Sequence, residues 1–241
     1  EDCPHILGMS ATPIPRSLAM TFLADLNIST VTGSPPNRKT IVTKLVSAGR
    51  KDEILERIKV FIRNGGQAFW VCPMINETTD STRALNALVS TEGWLKENLP
   101  YSISVLHGKM TSEEKLRSMT EFRDKKTRVL LATTVIEVGV DVPEAGLIII
   151  ENSERFGLAQ LHQLRGRVGR GETEATCILL YEEGLTEEAK MRLKILYETC
   201  DGFKIAKRDL EIRGPGEILG TRQAGDVELE FSDLTNDVEL V

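Results

Sequence analysis

Short apolar, β-branched runs alternate with segments of helical period along most of this chain. The runs at 5–9, 40–46, 68–74, 102–107, 128–133, 146–151 and 176–181 predict strands. Several of them, such as VLLAT at 129–133 and LIII at 147–150, are apolar on both faces. That pattern belongs to strands covered from both sides in a parallel sheet. Between them, Ile54, Leu55, Ile58, Phe61 and Ile62 fall on one face of a predicted helix over 51–64. Leu116, Met119 and Phe122 do the same for a helix over 111–126, and Thr111 with Glu114 reads as a capping box at its start.

Alternation of strand and helix predicts an α/β layer fold with a parallel sheet. From about residue 186 onward the pattern is helical only. The Pro35–Pro36 pair interrupts both periods and reads as a linker. Residues 1–34 then hold one strand and one helix, too little to fold alone, and look like the last element of a preceding domain. The expected division is 1–34, 35–185 and 186–241.

Composition narrows the class. The chain has 241 residues, 41% hydrophobic and 27% charged, enough to bury a core. No apolar run approaches the roughly 20 residues a membrane-spanning helix needs. The formal net charge is −6, and Asp226, Glu228, Glu230, Asp233, Asp237 and Glu239 of the base-free tail account for all of it. An acidic total argues against a sequence-blind basic nucleic-acid binder but leaves room for a local basic site. Cys3, Cys72, Cys177 and Cys200 are too scattered for a zinc site, so no metal ligands are expected, and scattered thiols suit a reducing cytoplasm.

The most informative segment is QLHQLRGRVGRG at 160–171, with Gln163, Arg165, Arg167 and Arg170 interleaved with Gly166, Gly169 and Gly171. Glycine costs about 1 kcal/mol in a helix interior relative to alanine, so this is a poor ordinary surface helix. A solvated basic face is the plain alternative. The spacing suits arginines that approach a polyanion closely, where the planar guanidinium holds phosphate bidentately and keeps its charge. This string resembles motif VI of superfamily 2 helicases. In the order that family requires, MSATPIPRSLA at 9–19 resembles motif III, QAFWVCPMI at 67–75 motif IV, VLHGKM at 105–110 the segment after it, and ATTVIEVGVDVPEA at 132–145 motif V. DGFKIAKRDLEIRGPGEILGTRQAG at 201–225 resembles the translocation motif of the RecG family of branched-DNA helicases.

The resemblance implies a RecA-like second motor domain over 35–185, preceded by the end of a first one and followed by a helical translocation hairpin and an acidic tail. It implies that Arg170 is an arginine finger for ATP, with Arg167 its partner and Gln163 coupling the site to an interdomain cleft. Asp141, after the turn at Gly139, would contact ribose or the motif VI arginines, and Ser10 and Thr12 would link hydrolysis to domain movement. Thr133 and Thr134, and His107, Gly108 and Lys109, lie at the end of a predicted strand or just past it, where hydroxyls and amides could hold a DNA phosphate. Arg192, Arg213 and Gln223 would form the polar contacts that couple the hairpin to the motor. Solvated helix faces are the plain reading of that last region.

No G-x-x-x-x-G-K-[ST] phosphate loop and no D-E-x-[HD] box occur; GSPPNRKT at 33–40 lacks the second glycine and carries prolines where amides should cradle phosphate. In the family it resembles, both motifs lie upstream of motif III. The resemblance therefore implies the C-terminal half of an ATP-dependent double-stranded DNA translocase that regresses stalled forks and migrates Holliday junctions in recombination and repair, with the fragment inactive toward ATP alone. ATP and magnesium would be held mainly by the other half. Branched double-stranded DNA is the expected partner, with no membrane; a single-strand-binding protein or replication partners stay open. A transcription–repair coupling translocase, or for the fragment a non-catalytic DNA or protein interaction module, is the alternative.

Overall fold

The computed structural model describes residues 40–73, 81–133, 142, 144–171 and 174–213, with backbone alone for 81–84 and 213. The expected strand at 5–9 and the second arm of the expected hairpin lie outside them.

Six strands form one sheet: β1 (Ile41–Ser47), β2 (Gln67–Val71), β3 (Ile103–Leu106), β4 (Val129–Ala132), β5 (Ala145–Ile150) and β6 (Ala175–Tyr181). Their order is β1-β6-β5-β2-β4-β3 and every pairing is parallel. β2, β4 and β5 are buried at every position, which is why they read as continuous apolar runs.

Alternation along the strands builds two apolar layers. On one face α1 (Lys51–Arg63) and α2 (Ser81–Asn98) contribute Ile54, Leu55, Ile58, Ile62, Leu88 and Leu95 against Trp70, Leu131, Ile149 and Leu180. The buried residues of the other layer include Phe122 of α3 (Ser112–Arg123), whose ring centroid lies 5.2 Å from that of Phe69. They also include Leu158, Leu161 and Leu164 of α4 (Leu158–Arg165), and Ala189, Leu193 and Leu196 of α5 (Glu187–Glu198). A last helix, α6, spans Gly202–Arg213.

The capping box at α3 is present: Thr111 Oγ1 accepts from the Glu114 N–H, and the Glu114 carboxylate accepts from the Thr111 N–H at 2.8 Å. One packing expectation fails. Leu116 is 69% exposed, and Phe122 is the buried residue of α3. The i, i+3, i+6 apolar triad drifts round a 3.6-residue helix, and α3 lies beside β3, at the end of the sheet, where little surface is available to cover.

The chain divides into two compact units, Ser34–Cys200 and a second comprising Glu1–Gly33 with Asp201–Val241. α5 belongs to the first of these, so this division differs from one at 185/186 by the length of that helix.

Candidate nucleotide and nucleic-acid sites at the two edges of the sheet

Because all six strands are parallel, every strand ends on the same edge, where open α/β sheets bind ligands. β3 and β4 are neighbours, and the Thr133 N–H donates to the Leu106 carbonyl at 3.1 Å, aligning their two ends. His107 follows β3 and Thr133 follows β4. His107 Nδ1 and Thr133 Oγ1 are both buried, and neither has a hydrogen-bond partner among the described residues. A buried polar atom left unmet costs about 1–3 kcal/mol, and these two lie on adjacent strand ends. The turn that follows is tied down: the Met110 N–H donates to the His107 carbonyl at 3.2 Å, and Lys115 Nζ donates to the Gly108 carbonyl at 3.1 Å. Gly108 and Lys109 are exposed at its tip. Thr134, Gly139 and Asp141 lie outside the described residues, as do Ser10 and Thr12.

The glycine-laced arginines lie at the opposite edge. Gly169 has φ +72°, and a Cβ placed there would come within 3.1 Å of Ile41 and 3.2 Å of Ala175, the first residues of β1 and β6. Only glycine fits that approach, and it pins the loop to the starts of two strands. Arg170, next along, is exposed, with Nε donating to the Gly166 carbonyl at 3.2 Å. Arg167 and Gln163 are half-buried. The arginine loop and the His107–Thr133 pair are separated both along the strands and across three to five neighbouring strands, each step adding about 4.8 Å sideways.

Arg165 behaves unlike its neighbours. It is 2% exposed, and its Nη1 donates to the carbonyls of Leu196 at 2.7 Å and Thr199 at 2.9 Å and reaches Thr43 Oγ1 at 3.3 Å. A cation on the last carbonyls of α5 also opposes the negative end of that helix. Of the three arginines in the run, Arg165 braces the fold, Arg167 is half-buried and Arg170 is exposed. Beside it the Cys177 thiol is pushed up to about 12 by burial, so it stays protonated and inert.

Sequence reasoning missed a second polar cluster. The chain leaving β2 turns toward β3, and the chain leaving β5 turns toward β6, so the switch point of the sheet lies between β5 and β2. There Glu151 accepts from Thr91 Oγ1 at 3.2 Å and the Cys72 thiol at 3.4 Å, and pairs with Lys51 Nζ at 2.5 Å. Lys51 Nζ stands 4.3 Å from the Trp94 ring centroid. Burial and the Glu151 charge push the Cys72 thiol far above its usual range. The one sequence signal was a lone acid closing the apolar run of β5.

Arg192 ties α5 to the turn at Ser153–Arg155, donating to Glu188 Oε1 at 2.7 Å and to the Glu154 carbonyl at 3.0 Å. Arg213 ends α6 and Gln223 lies outside the described residues. Among the described residues no group of three His, Cys, Asp or Glu could hold a metal ion, and no helix is long and apolar enough to cross a membrane.

The family model for the helicase conserved C-terminal domain matches residues 50–172, which include β2 to β5, the His107–Thr133 pair, Arg167 and Arg170. The chain belongs to this helicase family. A second family model, for the C-terminal part of domain 3 of the ATP-dependent DNA helicase RecG, matches residues 199–241. ATP-dependent DNA helicase RecG of Acidithiobacillus ferridurans is 48% identical over 239 residues, covering 99% of this chain and 35% of the relative. RecG of Escherichia coli strain K12 is 48% identical over 242 residues, covering 99% and 34%. A solved structure of RecG bound to a three-way DNA junction superposes with a TM-score of 0.73 at 46% identity, over 87% of this chain and 27% of that one. The chain thus spans about a third of the length of the curated relatives it matches and corresponds to the C-terminal part of RecG helicases. The flanked parallel sheet is that of a RecA-like helicase C-terminal domain.

Proposed function

We propose that this chain is the C-terminal motor half of an ATP-dependent translocase that remodels branched double-stranded DNA, regressing stalled forks and migrating junctions. The observation that carries the reading is 46% identity across 87% of the chain to RecG on a three-way DNA junction, together with matches to both family models. The transcription–repair coupling alternative has no comparable support.

In this reading Arg170 and Arg167 contact the γ-phosphate of ATP, and Gln163 relays their position to the cleft. The residues fit that group: two guanidinium-bearing positions three apart, flanking a glycine, on a loop fastened to the strand starts. Hydrolysis of the bound nucleotide supplies the free energy for movement. Arginine contributes by charge stabilisation, an effect of about 10³–10⁵ in rate where a finger is supplied. Magnesium and most nucleotide contacts are proposed to reside in the other motor half, with Asp141, Gly139, Ser10 and Thr12 contributing from this one. At the far edge, His107 Nδ1, Thr133 Oγ1, Thr134 and the Gly108–Lys109 turn would take a DNA phosphate. Arg192, Arg213 and Gln223 would couple the translocation hairpin to the motor, with 1–34, 35–185 and 186–241 as the functional divisions. The proposed setting is the bacterial cytoplasm.

The test is ATP hydrolysis by the intact protein on three-way-junction versus linear duplex DNA of equal length. Strong junction stimulation is expected; equal stimulation by linear duplex would leave a duplex translocase and remove the branch-remodelling reading.

A further inference from the structure

β1 closes one end of the sheet: among the described residues it pairs with β6 and with no strand on its other side. An edge strand presents alternate N–H and C=O groups outward, ready to pair with another chain. Along this open side runs a cavity of about 260 Å³, bounded by α1 on one face of the strand and by Tyr197 of α5 on the other. Leu45, Val46 and Ile54 give it an apolar floor, while Tyr197 is 61% exposed at its rim. Lys44, Arg50 and Arg57 line it against a single carboxylate, Glu53. Glu53 is held by Arg50 at 2.7 Å and also feels the Arg57 charge at longer range, whereas Lys44 has no ion pair among the described residues. The groove therefore combines an unpaired strand edge, an apolar floor and an excess of two positive charges.

We propose that this groove receives an extended acidic peptide segment of a partner protein, which adds to β1 as a further strand. Main-chain pairing would give affinity, and alternate side chains would divide between the apolar floor and the lysine and arginine of the rim. A DNA backbone fits less well. Phosphodiesters have no use for an apolar floor, and the groove stands five strands from β3, roughly 24 Å across the sheet from the His107–Thr133 pair. The proposal does not depend on the motor reading, because nothing in it uses the arginine loop or the ends of β3 and β4.

The experiment is fluorescence anisotropy with the intact protein and a labelled octapeptide of alternating valine and aspartate. Saturable binding is expected, weakened about tenfold or more by Lys44→Glu with Arg57→Glu. It should be lost when alternate peptide nitrogens are methylated, because those N–H groups would pair with β1. Replacing aspartate by lysine in the peptide should also abolish it. Lys44→Ala with Arg57→Ala, monitored for an unchanged melting temperature, guards against a charge-reversed protein that fails to fold. Binding indifferent to both double variants or to N-methylation would overturn the proposal, as would no binding up to millimolar peptide. Displacement of the peptide by linear duplex DNA, with the duplex itself losing affinity on charge reversal, would assign the groove to DNA. Concentration-dependent dimerisation abolished by Lys44→Glu would assign the edge to a second copy of the chain.

Discussion

The two edges of one sheet carry contrasting kinds of polar group. At the strand ends, His107 Nδ1 and Thr133 Oγ1 are buried and without a partner among the described residues, and main-chain bonds of neighbouring strands hold their positions. At the strand starts, Arg170 is exposed on a loop pinned by Gly169 and supported from behind by the buried Arg165. The first arrangement is preset by the sheet and tolerates little displacement. The second is a long charged side chain on a braced loop, suited to reach a group that another domain holds. The two places lie at opposite edges of a parallel sheet and three to five strands apart, so substitutions at one should leave the other's readout unchanged.

The largest effect separates the edges outright. Arg170→Ala in the intact protein is expected to lower ATP turnover by about 10³-fold or more while junction affinity stays near its original value. Steady-state turnover and a binding titration on the same preparation check this. The next substitution distinguishes brace from finger. Arg165→Met leaves the Leu196 and Thr199 carbonyls without their donor and should cost about 3 kcal/mol of stability in chemical denaturation. A loss of turnover with no loss of stability would instead place Arg165 with Arg167 and Arg170.

Legibility divided along similar lines. β2, β4 and β5 were visible because burial on both faces writes a continuous apolar run, and all six strands were found within three residues of their expected bounds. α2 was not anticipated: its buried Leu88 and Leu95 stand seven residues apart, and Gly93 lies between them. Spacing also could not tell Arg165 from Arg167 and Arg170. Its burial is decided by carbonyls 31 and 34 residues away, and a motif string carries no such information. Glu151 was missed for the same reason, since its partners Lys51, Cys72 and Thr91 converge only when β2 and β5 become neighbours.

Two smaller effects sharpen the strand-end side. Thr133→Val removes a buried hydroxyl that has no partner among the described residues, so stability should change by less than about 1 kcal/mol or rise, while junction affinity falls several-fold. Lys109→Ala should lower affinity similarly and reduce the salt dependence of binding by about one counterion. Unchanged affinity in both would remove the phosphate assignment. The smallest effect concerns the cap of α3, which follows the His107–Met110 turn. The Thr111 N–H and hydroxyl hold the Glu114 carboxyl below its ordinary value. Its contribution to stability is therefore present above the unfolded pKa of about 4.3 and lost as pH falls through the lower folded value. Glu114→Gln should flatten the decline of melting temperature between about pH 5 and 3; an unchanged profile would show that the cap carries no pH dependence.

The most direct measurement compares Arg170→Ala with Thr133→Val plus Lys109→Ala in the intact protein, recording ATP turnover at saturating three-way-junction DNA and the junction Kd for each. The account predicts a crossed result: the first variant loses turnover and keeps its Kd, and the second raises Kd and keeps turnover once DNA saturates. Equal loss of both quantities in both variants would contradict a division of labour between the two edges of the sheet.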